Sequence, residues 1–210
     1  MDEQAFRPTR PAAARLPGVA DALPEILVAD ADSWRSWLST HHGDDGVWLV
    51  LAKKNVTEPT SLTYDQALEE ALCHGWIDGQ LDRYDDACWL VRFTPRKRSS
   101  KWSQNNRTRA LELIEAGRMR PTGLAEVEAA KADGRWDVAY APASTAQPPP
   151  DLQAALDASP QAAAFFATLR GANRYAILYR IGAAKKAETR ARRIAQFVSM
   201  LERGETVHGP

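Results

Sequence analysis

Arg92, Arg96, Arg98 and Lys101 stand immediately ahead of, or among, Ser100, Ser103 and Asn106. Ser103 opens a run free of proline and glycine, a helix N-cap signal, and the first amides of such a helix have no partner inside it. Cations upstream of free helix amides are a combination that holds phosphate or carboxylate. Trp76 and Trp102 bracket the stretch and can form a stacking wall, and Asp78 adds a carboxylate on the segment that Trp76 begins. The expected ligand-binding set is therefore Trp76, Asp78, Arg92, Arg96, Lys101, Trp102, Ser103 and Asn106. A competing reading makes Trp102 a core anchor and the cations a solvated loop pairing with Asp82, Asp85 and Asp86.

Other chemistry is weaker. His74, Asp78, Asp82, Asp85 and Asp86 could form a metal site or an acid/base pair, but no His-x-x-x-His or Cys-x-x-Cys spacing supports it. Aspartate is common in hairpin turns for local hydrogen-bonding reasons alone. Cys73 and His74 are neighbours, and neighbouring helical residues point apart. No glycine-rich phosphate loop is present. Neither a metal, a cofactor nor an enzymatic reaction is expected.

A second basic block, Lys185, Lys186, Arg190, Arg192 and Arg193, lies near Tyr175 and Tyr179 and is the strongest signal for nucleic acid. Cations at a helix start oppose its dipole, so something anionic must compensate them. That partner is either a nucleic acid or an intramolecular acid, such as Glu188 or an aspartate of the acidic first half. Residues 1–91 hold 7 Lys/Arg against 16 Asp/Glu, and residues 92–210 hold 20 against 11. Neither half contains a long run of one sign, which favours internal neutralisation.

These residues need elements to position them. Residues 1–24, with four prolines among alanines, are expected as a flexible arm. Asp32 or Ser33 is placed to cap a helix with Trp34, Trp37, Leu38 and His41 on one face. Val47 to Ala52 predicts a buried strand. Thr63 and Gln66 have the spacing of a capping box, ahead of a stripe of Tyr64, Leu68, Ala71 and Leu72 that ends at Gly75. Trp76–Arg83 and Ala87–Phe93 predict a hairpin, with Gly79 marking a bulge and Pro95 closing the second strand. A helix from Ser103 is expected to turn Ala110, Leu111 and Ile114 inward, and Pro121 begins another that stops at Gly134. Residues 141–150 (APASTAQPPP) are a linker. Beyond it, Ser159 opens a helix with Ala162, Phe165, Phe166 and Leu169 on one face, another covers Asn173 to Ile181, and the last carries Ile194, Phe197, Val198 and Leu201. The fold class is α+β: a small antiparallel sheet of about three strands packed with helices over residues 25–140, then a helical C-terminal unit at 151–204 and a tail at 205–210.

No apolar run approaches a membrane span, and the N-terminus lacks the apolar core of a secretory signal. With only Cys73 and Cys88, reduced thiols and a cytoplasmic location are expected.

Four blocks carry a resemblance. Ala71-Leu72-Cys73 with Gly75-Trp76-Ile77-Asp78 is similar to an "ALC-x-GWID" signature. Phe93, Pro95, Arg96, Ser99 or Ser100, Trp102, Ser103 and Asn106 follow a "F-x-PR-x-x-S-x-WS-x-x-N" pattern. Gly117, Met119, Pro121 and Gly123 match a "G-x-M-x-P-x-G" turn, and residues 184–194 hold "AK-x-x-ETRARRI". Together they resemble the YdeI/OmpD-associated, or bacteriocin-protection, family over roughly residues 33 to 204. The resemblance implies a cytosolic bacterial protein linked to resistance against bacteriocins or cationic peptides. It carries over no catalytic residue. The expectation is a non-catalytic protein that binds a small anionic or peptide ligand, with a nucleic-acid-binding module as the alternative.

Overall fold

The computed structural model describes residues 7–8, 23–184 and 186–209. Most of the expected arm and Lys185 of the basic block lie outside the described residues. The chain divides into two compact units, Met1–Trp102 with Asn106–Val138, and Ala139–Pro210 with Ser103–Asn105. No helix among the described residues is long and apolar enough to cross a membrane.

The first unit is built on a mixed sheet. Its strands are β1 (Arg7–Pro8), β2 (Glu25–Leu27), β3 (Val47–Ala52), β4 (Trp76–Arg83) and β5 (Cys88–Pro95), in the order β1-β2-β3-β5-β4. The three strands expected from the sequence are β3, β4 and β5, and they pair antiparallel. The sheet is larger than expected because β2 joins β3 in parallel through the helix α1 (Ala31–Thr40). Three residues after Pro24 are too few to show a period-2 pattern, so β2 left no readable signal. All six residues of β3 are buried, as a strand covered on both faces requires.

Register separates the two faces. Val47, Leu49 and Leu51 pair with Phe93, Val91 and Trp89, and Asp78 pairs with Phe93. Helices α1 and α2 (Tyr64–Cys73) pack on this face: Trp34 meets Phe93 at 5.7 Å and Tyr64 meets Trp89 at 5.8 Å between ring centroids. Trp48, Val50, Cys88 and Leu90 cluster on the opposite face with Leu23, Leu27, Tyr84 and Ala87. The register of β4 against β5 shifts between Asp78 and Leu81, which places the bulge at Gly79 and Gln80.

Caps fix the helix ends. Thr63 and Gln66 form the capping box of α2. Asp30, rather than Asp32 or Ser33, caps α1 by accepting from the Ser33 amide; a cap must precede the first helical residue, and that is Ala31. Gly75 takes φ +79 after α2. Helix α3 (Gln104–Glu115) buries Ala110 and Leu113, while Leu111 is 48 % exposed. Ala110 faces inward as expected and Ile114 is half-buried, but Leu113 takes the place expected of Leu111, a shift that an almost apolar-free first turn invites. Helix α4 (Pro121–Ala132) starts at Pro121 and ends before Gly134.

The second unit has its own core. Helices α5 (Pro150–Asp157), α6 (Pro160–Thr168), α7 (Gly171–Gly182) and α8 (Ala187–Glu202) enclose Leu152, Leu156, Phe166, Ile177, Ile181, Ile194 and Leu201. Ser159 caps α6 by accepting from the Ala162 amide.

Candidate functional site

The residues chosen from the sequence are not gathered in one concavity. Trp76 is 1 % exposed and sits edge-on to Trp34 and Trp37, at 6.4 Å and 5.7 Å between centroids. Trp102 is 2 % exposed and meets Trp136 at 4.9 Å. These are two separate aromatic clusters inside the fold, so the stacking wall expected between Trp76 and Trp102 does not form. Size explains it: an indole placed at a strand start or behind a loop buries more apolar surface inward than across a cleft.

Arg96 is buried too, at 6 % exposure. Its guanidinium lies 3.6 Å from the Trp102 ring and donates to the Lys101 carbonyl at 3.3 Å, while its amide donates to the Gly75 carbonyl. It therefore ties the loop 96–101 back onto the strand. Lys101 is exposed, Arg92 half-buried, and Asn106 buried on the first turn of α3. Asp78 accepts from the Tyr64 hydroxyl at 2.8 Å; burial first, and the Asp78 charge after it, push that phenol well above its ordinary range. Ser103 belongs to the second unit by its contacts, where it bridges Tyr140. At the hairpin tip, Asp85 accepts from the amides of Ala87 and Cys88, and Lys53 donates to the carbonyls of Asp85 and Asp86. No group of three or more metal-ligating side chains occurs among the described residues.

The basic block at the start of α8 is partly tied down. Arg190 holds Asp151 through a two-pronged contact, with its Nη2 2.8 Å from Oδ1, and donates to the Ile181 carbonyl. Arg193 donates to the Arg180 carbonyl. Lys186 and Arg192 are exposed. The acid that compensates Arg190 comes from α5, not from the acidic first half.

A different place in the first unit gathers charge. A cleft of about 510 Å³ is lined by Arg35, Ser39 and His42 from α1 and its C-terminal end, by His74 beyond α2, and by Arg120 and Thr122 at the start of α4. The architecture follows from Gly123. A Cβ there would stand 2.3 Å from the Cys73 carbonyl oxygen and 2.8 Å from that of Leu72, so only glycine lets α4 begin against the end of α2. The Arg120 amide donates to the Cys73 carbonyl at 3.0 Å and fixes this junction. Arg120 is the N-cap of α4 and offers no side-chain cap, and Pro121 brings no amide, which leaves the helix start uncapped toward the cleft.

One wall is anchored by Glu70, which is 3 % exposed. Its carboxylate takes both nitrogens of the Arg35 fork at 2.9 Å and the Nη2 of Arg118 at 2.6 Å. Burial alone would raise this carboxyl; the two guanidinium groups reverse that and hold it below the usual carboxylate range. Asp32 adds a second acceptor for Arg35 at 2.8 Å. Arg35 is thereby fixed in place. Arg120, in contrast, is exposed and has no acidic partner among the described residues.

His74 lines the cleft while only 7 % exposed, and its Nε2 has no hydrogen-bond partner among the described residues. Burial first, then the positive charge of Arg120, lower its pKa; Arg35 and His42 push the same way, and Glu70 opposes them. The imidazole is held neutral at neutral pH, in a positive field that converges from two elements. Exposed donors in that field can receive an anion. Of these residues the sequence reading weighed only His74, and as a metal ligand or acid. The overlooked signal was Arg120 directly before Pro121: a cation where a helix normally has an oxygen-bearing cap.

Comparison with known proteins divides the chain in the same way as its cores. Residues 145–204 match the family described as "Bacteriocin-protection, YdeI or OmpD-Associated", so the second unit carries a domain of that family. Residues 26–126 match a domain of unknown function, DUF8412. The "ETRARRI" block falls in the first match, and the "ALC-x-GWID", "PR-x-x-S-x-WS" and "G-x-M-x-P-x-G" blocks fall in the second. No curated protein and no solved structure matches the chain.

Proposed function

We propose that this is a non-catalytic, cytoplasmic ligand-binding protein of the bacteriocin-protection kind, and that its first unit holds a small anionic or peptide ligand in the cleft between Arg35, His74 and Arg120. The observation that carries the reading is the exposed Arg120, which has no acidic partner among the described residues and stands at an uncapped helix start in a cleft that Arg35 and His42 also line. A cation without a counter-ion beside free helix amides favours an anion. The family match on residues 145–204 supports the protective role.

The test is isothermal titration of the full chain with small organic anions and with short acidic peptides, against neutral analogues of equal size. The reading expects saturable binding of anions alone, weakened at least about tenfold in Arg120→Gln, which corresponds to the loss of one charge-assisted hydrogen bond. Equal binding of neutral analogues would remove it.

A nucleic-acid-binding module remains the second reading, favoured by the exposed Lys186 and Arg192. It predicts a steep loss of oligonucleotide affinity with salt. The engagement of Arg190 by Asp151 and of Arg193 by a carbonyl leaves fewer cations to neutralise phosphates, so a shallow salt dependence is expected.

A further inference from the structure

We infer that the second unit carries a stacking platform for single-stranded nucleic acid, made by Tyr140, Tyr175 and Tyr179 and edged by the cations of α7; the inference rests on the nucleic-acid reading of this unit and moves its contact surface from the start of α8 to α7. Composition gives the first ground. From Ala158 to Ala187 the chain holds no aspartate or glutamate and five cations, Arg170, Arg174, Arg180, Lys185 and Lys186. The acids of this unit at Asp151, Asp157, Glu202 and Glu205 are engaged by Arg190, Gln153, Ser159 and Arg203. Helix α7 is therefore cationic with no acid of its own, and a polyanion meets no like charge along it.

Exposed rings give the second. Helix α7 turns Ile177, Leu178 and Ile181 into the core and leaves Tyr179 and Arg180 in solvent. Tyr175 and Tyr179 stand one turn apart on a shared face, with ring centroids 5.9 Å apart. Tyr140 meets Tyr179 at 5.5 Å from the segment ahead of α5. Large rings usually go inward, yet Tyr140 and Tyr179 are 36 % and 39 % exposed. The cluster is also held in place. The Gln104 amide donates to the Tyr140 carbonyl at 2.9 Å, and the Tyr175 hydroxyl donates to the Ala141 carbonyl at 3.3 Å. Rings fixed before binding lose little freedom when a base stacks on them.

Aromatic surface and cations together select the partner. Every nucleobase offers a flat face to an exposed ring, and the phosphates that join the bases take the cations. A duplex keeps those faces inside its stack, so an unpaired strand is the form that fits. An acidic peptide would use the cations and leave the rings idle. A lipid surface takes exposed Leu, Ile or Phe, and α7 keeps its Ile and Leu residues buried. The cations open to phosphate are few. Arg174 lies over the Phe166 ring at 4.4 Å and Arg170 donates to the carbonyls of Ala167 and Leu169. Arg180, in contrast, is exposed and has no acidic partner among the described residues. Stacking therefore carries most of the affinity, with Arg180 on one phosphate.

The experiment follows the fluorescence anisotropy of labelled oligothymidylate with the full chain across a salt series. The single strand is expected to bind at least about tenfold more tightly than a duplex of equal length. Tyr179→Ala should lower affinity by about fivefold to a hundredfold, the loss of one base–ring stack, with an unchanged salt slope and an unchanged far-ultraviolet circular dichroism spectrum. Tyr179→Phe keeps the ring and should keep the affinity. Arg180→Gln should instead reduce the slope of log affinity against log salt by about 0.7, the contribution of one phosphate on a single strand. Arg120→Gln in the first unit should leave both quantities as they are. If the duplex binds as tightly as the single strand, or Tyr179→Ala binds like the unaltered chain, the platform is overturned and the nucleic-acid reading of the basic block stands. If no oligonucleotide binds, both fall. Polyglutamate or phosphatidylglycerol vesicles that bind with the same dependence on Tyr179 would assign the surface to another partner and overturn the inference as well.

Discussion

Glu70 is the residue on which the cationic wall depends. It is almost fully buried, yet it meets Arg35 and Arg118, each of which is about two-fifths exposed on the side chain. Solvent at the guanidinium ends weakens the pairs relative to fully enclosed ones. Glu70→Gln is therefore expected to lower the unfolding free energy by about 2 kcal/mol, below the range for a fully buried pair, as read by urea denaturation. The sign of its pH effect follows from its depressed folded pKa. The stabilisation is complete above the unfolded value of about 4.5 and is lost as pH falls through the lower folded value. His74 acts over a higher window. Its folded form resists protonation while the unfolded chain accepts a proton near 6.5, so stability should decline as pH drops below about 6.5 and level off at the folded value. His74→Gln should flatten that part of the curve in a Tm-against-pH series without bound ligand. Residue types in the sequence said little of this. Arg96, chosen as a ligand contact, packs on Trp102 instead, because the planar guanidinium stacks on indole as readily as it pairs with an anion, and sequence alone does not distinguish the two.

At the scale of elements, periodicity and caps were legible. The capping box at Thr63, the proline start of α4, the bulge at Gly79 and the three longer strands all carry local signals that survive without tertiary context. What was not legible came from packing at a distance. The strand β2 is too short for a pattern, and the cleft exists only because the end of α2 meets the start of α4 at Gly123. A glycine inside a helical run looks like a weakness in sequence, yet here it is the residue that permits the junction. Gly123→Ala would drive its Cβ into the backbone carbonyls of Cys73 and Leu72. We expect a loss of about 2–4 kcal/mol in chemical denaturation, larger than a helix-propensity change and of opposite sign to it. Thr63→Ala, which removes a cap and leaves packing alone, should cost about 1 kcal/mol by the same measurement.

The whole molecule consists of two cores that the chain visits almost in turn. The apolar cluster of α5 to α8 draws all its buried residues from Leu152 to Leu201, and the family match over residues 145–204 covers the same stretch. A fragment of residues 139–210 is therefore expected to fold, with a helical circular dichroism spectrum and a cooperative thermal transition; a non-cooperative melt would show that its core is insufficient alone. The charge asymmetry seen in the sequence has a local resolution in the ion pairs described. Arg109 meets Asp65 and Arg118 meets Glu69 and Glu70 inside the first unit, and Arg190 meets Asp151 inside the second. Internal neutralisation was foreseeable from the absence of single-sign runs; which acid meets which base, and that each pair lies within one unit, was not.

Helix α1 also gives the protein an optical gauge. Trp34 and Trp37 stack at 5.2 Å with planes 13° apart, and Trp37 stacks on His41 at 4.1 Å, while Arg35 and Ser39 of the same helix line the cleft. Two parallel indoles that close couple their electronic transitions, so they should give a paired positive and negative band in the ultraviolet circular dichroism of the native state. Trp37→Phe should abolish the pair while leaving the helical bands. Because the chromophores and the cleft share one rigid turn, any occupant that draws on Arg35 should change that band, without a label and without knowledge of what the occupant is.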